Sequence, residues 1–121
     1  MDHEPTIATY FAAMRRGADA AEEMFALFAA DAVYAEPFSG HPDPAVGIAA
    51  IRERLTEGWR TPLPDFELEV DTVVVEATTA RSEWTCHSSA FPGPVRGEDH
   101  YTFDASGKIS LLEVRIIERS E

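Results

Sequence analysis

The hydrophobic period of this chain changes near residue 65, and that change limits the folds open to it. Upstream, apolar residues recur every three or four positions. In TIATYFAAMRRG, Ile7, Tyr10, Phe11 and Met14 share one side of a helix, and Gly17 follows as a stop. Downstream, in DFELEVDTVVVEA, Phe66, Leu68 and Val70 alternate with Glu67, Glu69 and Asp71, which is the period of a half-buried strand. Helices first and strands afterwards, with no βαβ alternation, predict an α+β domain.

A second helix is expected to open at Asp19, with Glu22 three residues on in the manner of a capping box. It turns Met24, Phe25, Leu27 and Phe28 inward and ends near Ala30. A third, VGIAAIRERLTEGWR, sets Ile48, Ile51, Leu55 and Trp59 on one narrow stripe. Between them, DAVYAEPFSGHPDP predicts a short strand running into a loop, since Pro37, Pro42 and Pro44 lack backbone donors and Gly40 loosens the chain. ARSEWTCHSSAF, VRGEDHYTF and ISLLEVRIIE are separated by Pro92-Gly93-Pro94 and by DASGK, two hairpin connections. The expected architecture is one domain over residues 1–121: three N-terminal helices packed on one strongly curved antiparallel sheet, a cone-shaped barrel whose open end the helices line.

Charge removes whole classes of partner. Ten basic residues against 22 acidic give a formal charge of −12, which repels phosphate backbones and anionic lipid, so neither nucleic acid nor a membrane is expected. No stretch approaches the ~18 apolar residues that a spanning helix needs, and MDHEPTIATY lacks a basic region followed by an apolar run. The single cysteine, Cys86, rules out an intrachain disulfide and suggests a reducing compartment, the cytoplasm. The four histidines show no metal-ligand spacing, such as a pair at i and i+4, so neither metal nor cofactor is expected.

One polar residue breaks the pattern of the strands. In VRGEDHYTF, Asp99 shares a face with Tyr101 and Phe103, while Glu98, His100 and Thr102 share the other. If that apolar face looks inward, desolvation raises the Asp99 pKa. His100 points away, which disfavours a direct His–Asp dyad.

YFAAMRRGADAAEEMFALFAADAVYAEPFSG, GIAAIRE and GEDHYTFDASGKI resemble the ketosteroid isomerases, within the nuclear transport factor 2-like superfamily that also contains polyketide-cyclase-like domains. The similarity runs from Tyr10 to Ile116. It implies the cone-shaped, cystatin-like fold. By position, Tyr10 resembles the family's phenol donor, Asp99 its neutral aspartic acid donor, and Glu36 the carboxylate before a proline that moves the proton. Two fixed donors of this kind stabilise an enolate oxygen in a dry pocket. The sequence departs from the family at Glu36, where the base is aspartate, and at Leu55, where a tyrosine is common.

The alternation sets out the walls of an apolar pocket. Phe38, Trp84, Cys86 and Tyr101 belong to it, together with Val95 on the fourth segment and Leu112, Val114 and Ile116 on the last strand; Leu55 faces it from the third helix. Its expected occupant is a small, neutral, hydrophobic molecule. Isomerase-like proton transfer next to a carbonyl is the leading expectation for function. Cyclisation, dehydration or epoxide opening on the same fold is the first alternative, and a non-catalytic ligand-binding dimer the second. Arg81-Ser82-Glu83 resembles the Arg-x-Asp element of limonene epoxide hydrolases, but an exposed or intersubunit ion pair is the preferred reading. Val73, Val75, Leu111 and Ile117 are assigned to that outer face, giving an apolar patch through which a homodimer is expected to form.

Overall fold

In the computed structural model, which describes residues 2–119, helix α1 (Glu4–Arg16) begins where the Asp2 carboxylate accepts the Glu4 N–H at 3.0 Å. It ends at Gly17, whose φ of 65° lets the chain turn and donate its N–H to Ala13. A 3₁₀ turn (Gly17–Ala20) leads into a short helix α2 (Ala21–Phe25) with no side-chain cap at its N-terminus, so Asp19 does not cap it. Helix α2 stops well before Ala30. Strand β1 (Phe28–Ala35) takes over because the last strand claims this backbone: Ile109 donates its N–H to Leu27 O at 2.8 Å, and Lys108 Nζ reaches Ala26 O. Tertiary pairing thus overrides local helix propensity.

The remaining elements are β2 (Ala45–Val46), α3 (Ile48–Trp59), β3 (Glu67–Val75), β4 (Thr79–His87), β5 (Val95–Phe103) and β6 (Ile109–Arg119). They form one six-stranded sheet in the order β2-β1-β6-β5-β4-β3. Two features correct the expected barrel. The sheet is open, with β2 and β3 at its edges, and it is mixed, because β1 runs parallel to β6 while every other pair is antiparallel. Among the described residues, no helix is long and apolar enough to cross a membrane.

The core lies between the helices and the inner face of the sheet. Ile7, Tyr10 and Phe11 of α1 and Ile51 and Leu55 of α3 are buried against Tyr34, Trp84, Tyr101 and Leu112. Trp59 closes the end of the stripe on α3 by packing on Phe25, with ring centroids 5.7 Å apart. The inner face includes Val73 and Val75, contrary to the simple alternation. A bulge in β3 between Val70 and Thr72 adds one residue, so Val70 pairs with Trp84 but Val73 pairs with Ser82 and Val75 with Ala80. Val73 and Val75 therefore pack on the core, and the outward patch assigned to them is not formed.

Gly97 determines how this face is filled. It stands directly opposite Trp84, and a Cβ at position 97 would lie 2.1 Å from an indole carbon. The indole lies over bare backbone, an arrangement open only to glycine. We expect Gly97→Ala to push the ring aside and to lower stability by about 1–3 kcal/mol. Urea denaturation followed by tryptophan fluorescence tests this, and an unchanged midpoint would show that the ring is not seated there.

Candidate active site

The position of Trp84 over Gly97 carries its Nε1 to within 3.0 Å of Asp99 Oδ1. The other carboxylate oxygen, Oδ2, accepts from Ser82 Oγ at 3.0 Å and from the Tyr101 hydroxyl at 3.1 Å. All four side chains come from the inner faces of β4 and β5, where Ser82 pairs with Asp99 and Tyr101 lies two residues on. Asp99 is 1% exposed. Burial pushes its carboxyl up to about 6; the hydrogen bonds from Trp84, Ser82 and Tyr101 act in the opposite direction and hold the shift to that.

The Ser82 and Tyr101 oxygens also lie 2.7 Å apart, so they form a triangle with Oδ2 that has three edges of hydrogen-bond length. With Asp99 ionised, two hydroxyl protons serve those edges. With Asp99 neutral, a third proton completes the ring. Either protonation state is accommodated by rotating hydroxyls, with no movement of the backbone.

Tyr10, on α1, meets Tyr101 edge to face with ring centroids 6.0 Å apart. Tyr34, on β1, lies on the same inner face two strands from Tyr101; its register partner Leu112 also pairs with Tyr101. Burial raises both phenols well above their usual range, and the Asp99 and Glu36 carboxylates push them the same way. Both are therefore neutral donors at any ordinary pH. Asp99, Tyr10, Tyr34 and Glu36 thus lie within electrostatic reach of one another.

Glu36 is placed near this group but is occupied. Its Oε2 accepts the N–H groups of Phe38 at 2.6 Å and Ser39 at 2.9 Å, and its Oε1 accepts the Ser39 hydroxyl and lies 3.4 Å from Arg54 Nη1. Arg54 also donates to Asp43 O at 2.9 Å. The carboxylate fastens the loop that follows β1 to helix α3, and its lone pairs are already shared among four donors. Sequence reasoning missed Arg54 and Tyr34. Tyr34 was detectable, because it lies two residues before Glu36 and strand parity puts both on one face.

The predicted walls divide. Trp84, Cys86, Tyr101, Leu112 and Val114 are buried on the inner face, Ile116 is half-buried, and Leu55 lies in the helix–sheet core. Burial pushes the Cys86 thiol up, away from the reactive thiolate. Phe38 differs from the expectation: it is 57% exposed and covers Trp84 from outside, with ring centroids 6.2 Å apart. Two open concavities, one of about 300 Å³ between α1 and β3 and one of about 410 Å³ on the outer face, include neither Asp99 nor Tyr10 in their linings. Arg81 and Glu83 face outward, opposite His100 and Glu98, away from Asp99. Among the described residues, no group of three or more His, Cys, Asp or Glu side chains could hold a metal ion.

A curved sheet backed by helices, with Asp99 buried on its inner face, defines a small α+β domain of the cystatin-like class. The chain belongs to the SnoaL-like domain family, whose sequence model matches residues 7–112. No curated protein sequence matches it. Solved structures that it resembles include a protein of unknown function with a cystatin-like fold from Methylobium petroleophilum PM1, at 24% identity and a TM-score of 0.76, covering 98% of this chain and 78% of that one. A steroid delta-isomerase from Pseudomonas aeruginosa matches at 19% identity and a TM-score of 0.70, over 96% of this chain and 80% of the other. An epoxide hydrolase/cyclase-like enzyme of pyran ring formation in the polyether salinomycin matches at 17% and 0.74, over 95% and 90%. At these identities the likeness is one of fold.

The buried carboxyl makes stability depend on pH. Its folded value, about 6, lies above the ordinary 3.8, so Asp99 contributes stability that is complete below pH ~4 and is lost as pH rises through about 6. Asp99→Asn removes this dependence. The variant should therefore gain on the wild type between pH 4 and 7, by up to roughly 3 kcal/mol. Urea unfolding of both proteins across that range measures the difference, and a flat difference would mean that the carboxyl titrates normally.

Proposed function

We propose that this protein is an enzyme that moves a proton next to the carbonyl of a small, neutral, apolar substrate, with Asp99 as the acid–base group and Tyr10 as hydrogen-bond donor to the oxygen. The observation that carries this is the Asp99 carboxylate, buried among hydroxyls that serve its ionised and neutral forms alike. A base with a pKa near 6 is ionised at neutral pH and still basic enough to work. It takes a proton from the carbon beside the carbonyl; the C–H electron pair becomes the C=C bond, and the carbonyl pair moves to oxygen. Tyr10, neutral and already oriented, donates to that oxygen. Protonated Asp99 then returns the proton to carbon, at the same site or a vinylogous one, which gives isomerisation. If instead the enolate carbon attacks a second carbonyl, the alkoxide takes the proton and the outcome is cyclisation.

This reading moves the base from Glu36 to Asp99, because Glu36 is engaged by two fixed loop N–H groups and the Arg54 cation, whereas two of the three Asp99 donors are hydroxyls that can turn away. We further propose that the protein acts in the cytoplasm, in keeping with its one buried, free cysteine, and as a homodimer, for which exposed Val74 and Ile117 offer apolar surface. Sedimentation at micromolar concentration should give the mass of two chains, and a strict monomer would overturn that assembly.

The reaction is tested with 2-tetralone in deuterated water. Wild type should accelerate exchange of the acidic C–H, with a rate that rises through pH ~6 as Asp99 ionises. Asp99→Asn should lower it about 100-fold or more, while Glu36→Gln retains most of it. Exchange lost in Glu36→Gln but kept in Asp99→Asn would return the base role to Glu36. No exchange in the wild type would favour epoxide opening or ligand binding without turnover.

A further inference from the structure

The outer face of the sheet carries charges that its own chain leaves unmatched. On β5 and β6, Arg96 and Arg115 lie 3.1 Å from Glu118 and 3.6 Å from Glu113. Arg81 on β4 is exposed and, among the described residues, is in ion-pair contact with no carboxylate. The next outward residue along β4, Glu83, stands directly opposite Glu98 in the register. Like charges facing each other across two strands are destabilising. Glu83 accepts only the Thr72 hydroxyl, at 2.8 Å, and the neighbour of Glu98 is His100, at 3.2 Å.

These charges follow a pattern. Each of three strands carries two outward residues of opposite character on either side of an inward one: Arg81 and Glu83 flank Ser82, His100 and Glu98 flank Asp99, and Glu113 and Arg115 flank Val114. Ser82, Asp99 and Val114 are in register with one another, so they form a line across the sheet. On one side of it runs the row Arg81, His100, Glu113; on the other runs Glu83, Glu98, Arg115. A half-turn about an axis lying in the face along this line sets each strand over its own copy and exchanges the two rows. Arg81 then meets Glu83 of the partner subunit, His100 meets the partner's Glu98, and Glu113 meets the partner's Arg115, each contact occurring twice. One row further out, Leu111 meets the partner's Ile117. An axis running along β5 instead would stack Glu98 on the partner's Glu98. The four strands β3 to β6 present a face of roughly 20 by 30 Å, close to the ~600–800 Å² per partner that a specific interface buries.

We propose that the outer face recognises a second copy of this chain about a two-fold axis crossing β4, β5 and β6 behind Ser82, Asp99 and Val114, with Arg81 on Glu83 of the partner subunit as the pair that sets the register. This rests on the homodimer proposed above and goes further, to the axis and the charges that meet across it. The net charge of −12 opposes association of two chains; alternation of the two rows replaces that repulsion, at the contact itself, with attraction. It also favours self over other acidic proteins, whose charges do not alternate in this register.

Sedimentation equilibrium measures the dimer dissociation constant. For wild type it should rise at least about tenfold between low salt and 1 M NaCl, where the screening length falls to roughly 3 Å. Arg81→Glu puts a carboxylate on the partner's Glu83 at two symmetric places and should raise the constant about 100-fold or more; Glu83→Arg alone should do the same. The double variant Arg81→Glu/Glu83→Arg restores both contacts and should return to within about tenfold of wild type. Arg60→Glu, an equal change of charge on an exposed arginine that follows α3, should have no effect beyond a few-fold. A wild type that is monomeric throughout overturns the homodimer and this proposal together. A wild-type dimer indifferent to salt and to Arg81→Glu leaves the homodimer standing and overturns the register. Rescue of Arg81→Glu by Glu113→Arg in place of Glu83→Arg overturns it as well, because that pairing belongs to an axis along β5.

Discussion

The central constraint in this molecule is the cost of keeping a carboxylate out of water. Asp99 is offset by one indole N–H and two hydroxyls, and each donor imposes a demand on its surroundings. The indole reaches Oδ1 only because Gly97 has no side chain beneath it. The hydroxyls reach Oδ2 only because Ser82 is directly opposite Asp99 in the antiparallel register and Tyr101 is on the same side of its own strand. A slip of one residue between β4 and β5 would put Arg81 or Glu83 inside and leave the carboxylate unpaired. The penalty for a wrong register is therefore far larger here than in a wholly apolar sheet, and the polar cluster specifies the pairing as well as filling the site.

That logic explains how much of the structure could be read in advance. Residues whose neighbours are set by strand parity were legible: Asp99 inward with Tyr101 and Phe103, Arg81 and Glu83 outward, His100 opposed to Asp99. Gly17 as the stop of α1 was legible too, because a positive φ is a local property. Features set by long-range pairing were not. The end of α2 depends on β6 claiming residues 26–28, some eighty positions along the chain, and nothing in the local helical pattern announces it. The bulge in β3 reverses the facing of Val73 and Val75 through one extra residue, while the run of valines looks the same in either phase. The parallel pairing of β1 with β6 is likewise invisible to a pattern of period two, which is the same for both strand directions.

The candidate site divides along the same line. Tyr10 and Asp99 were found by spacing, by an unexpected carboxylate on an apolar face and by family resemblance. Glu36 was found by resemblance, but its geometry depends on the loop that follows it. Pro37 ends the strand, and the next two backbone N–H groups turn back toward the preceding side chain. A turn that folds over its own first residue in this way is a local habit of Pro- and Gly-rich loops, yet whether the carboxylate reaches the turn or the interior depends on side-chain length.

Length decides it in favour of the turn. A glutamate has one methylene more than aspartate, enough to let the carboxylate lie back along its own loop and meet Phe38, Ser39 and Arg54 together. The same extension provides a fixed anchor for the loop that carries Phe38, the residue covering Trp84. Both side chains are buried, and what sets Asp99 apart is its pair of hydroxyl donors, which can serve both of its protonation states, where Glu36 meets fixed backbone N–H groups and the Arg54 cation. Displacing a single functional group by about one bond length thus converts an apparent base into a structural clasp. In the proposed mechanism the acid–base work passes to a residue that the sheet, and not a loop, holds in place, which is the more exact support for a reacting group.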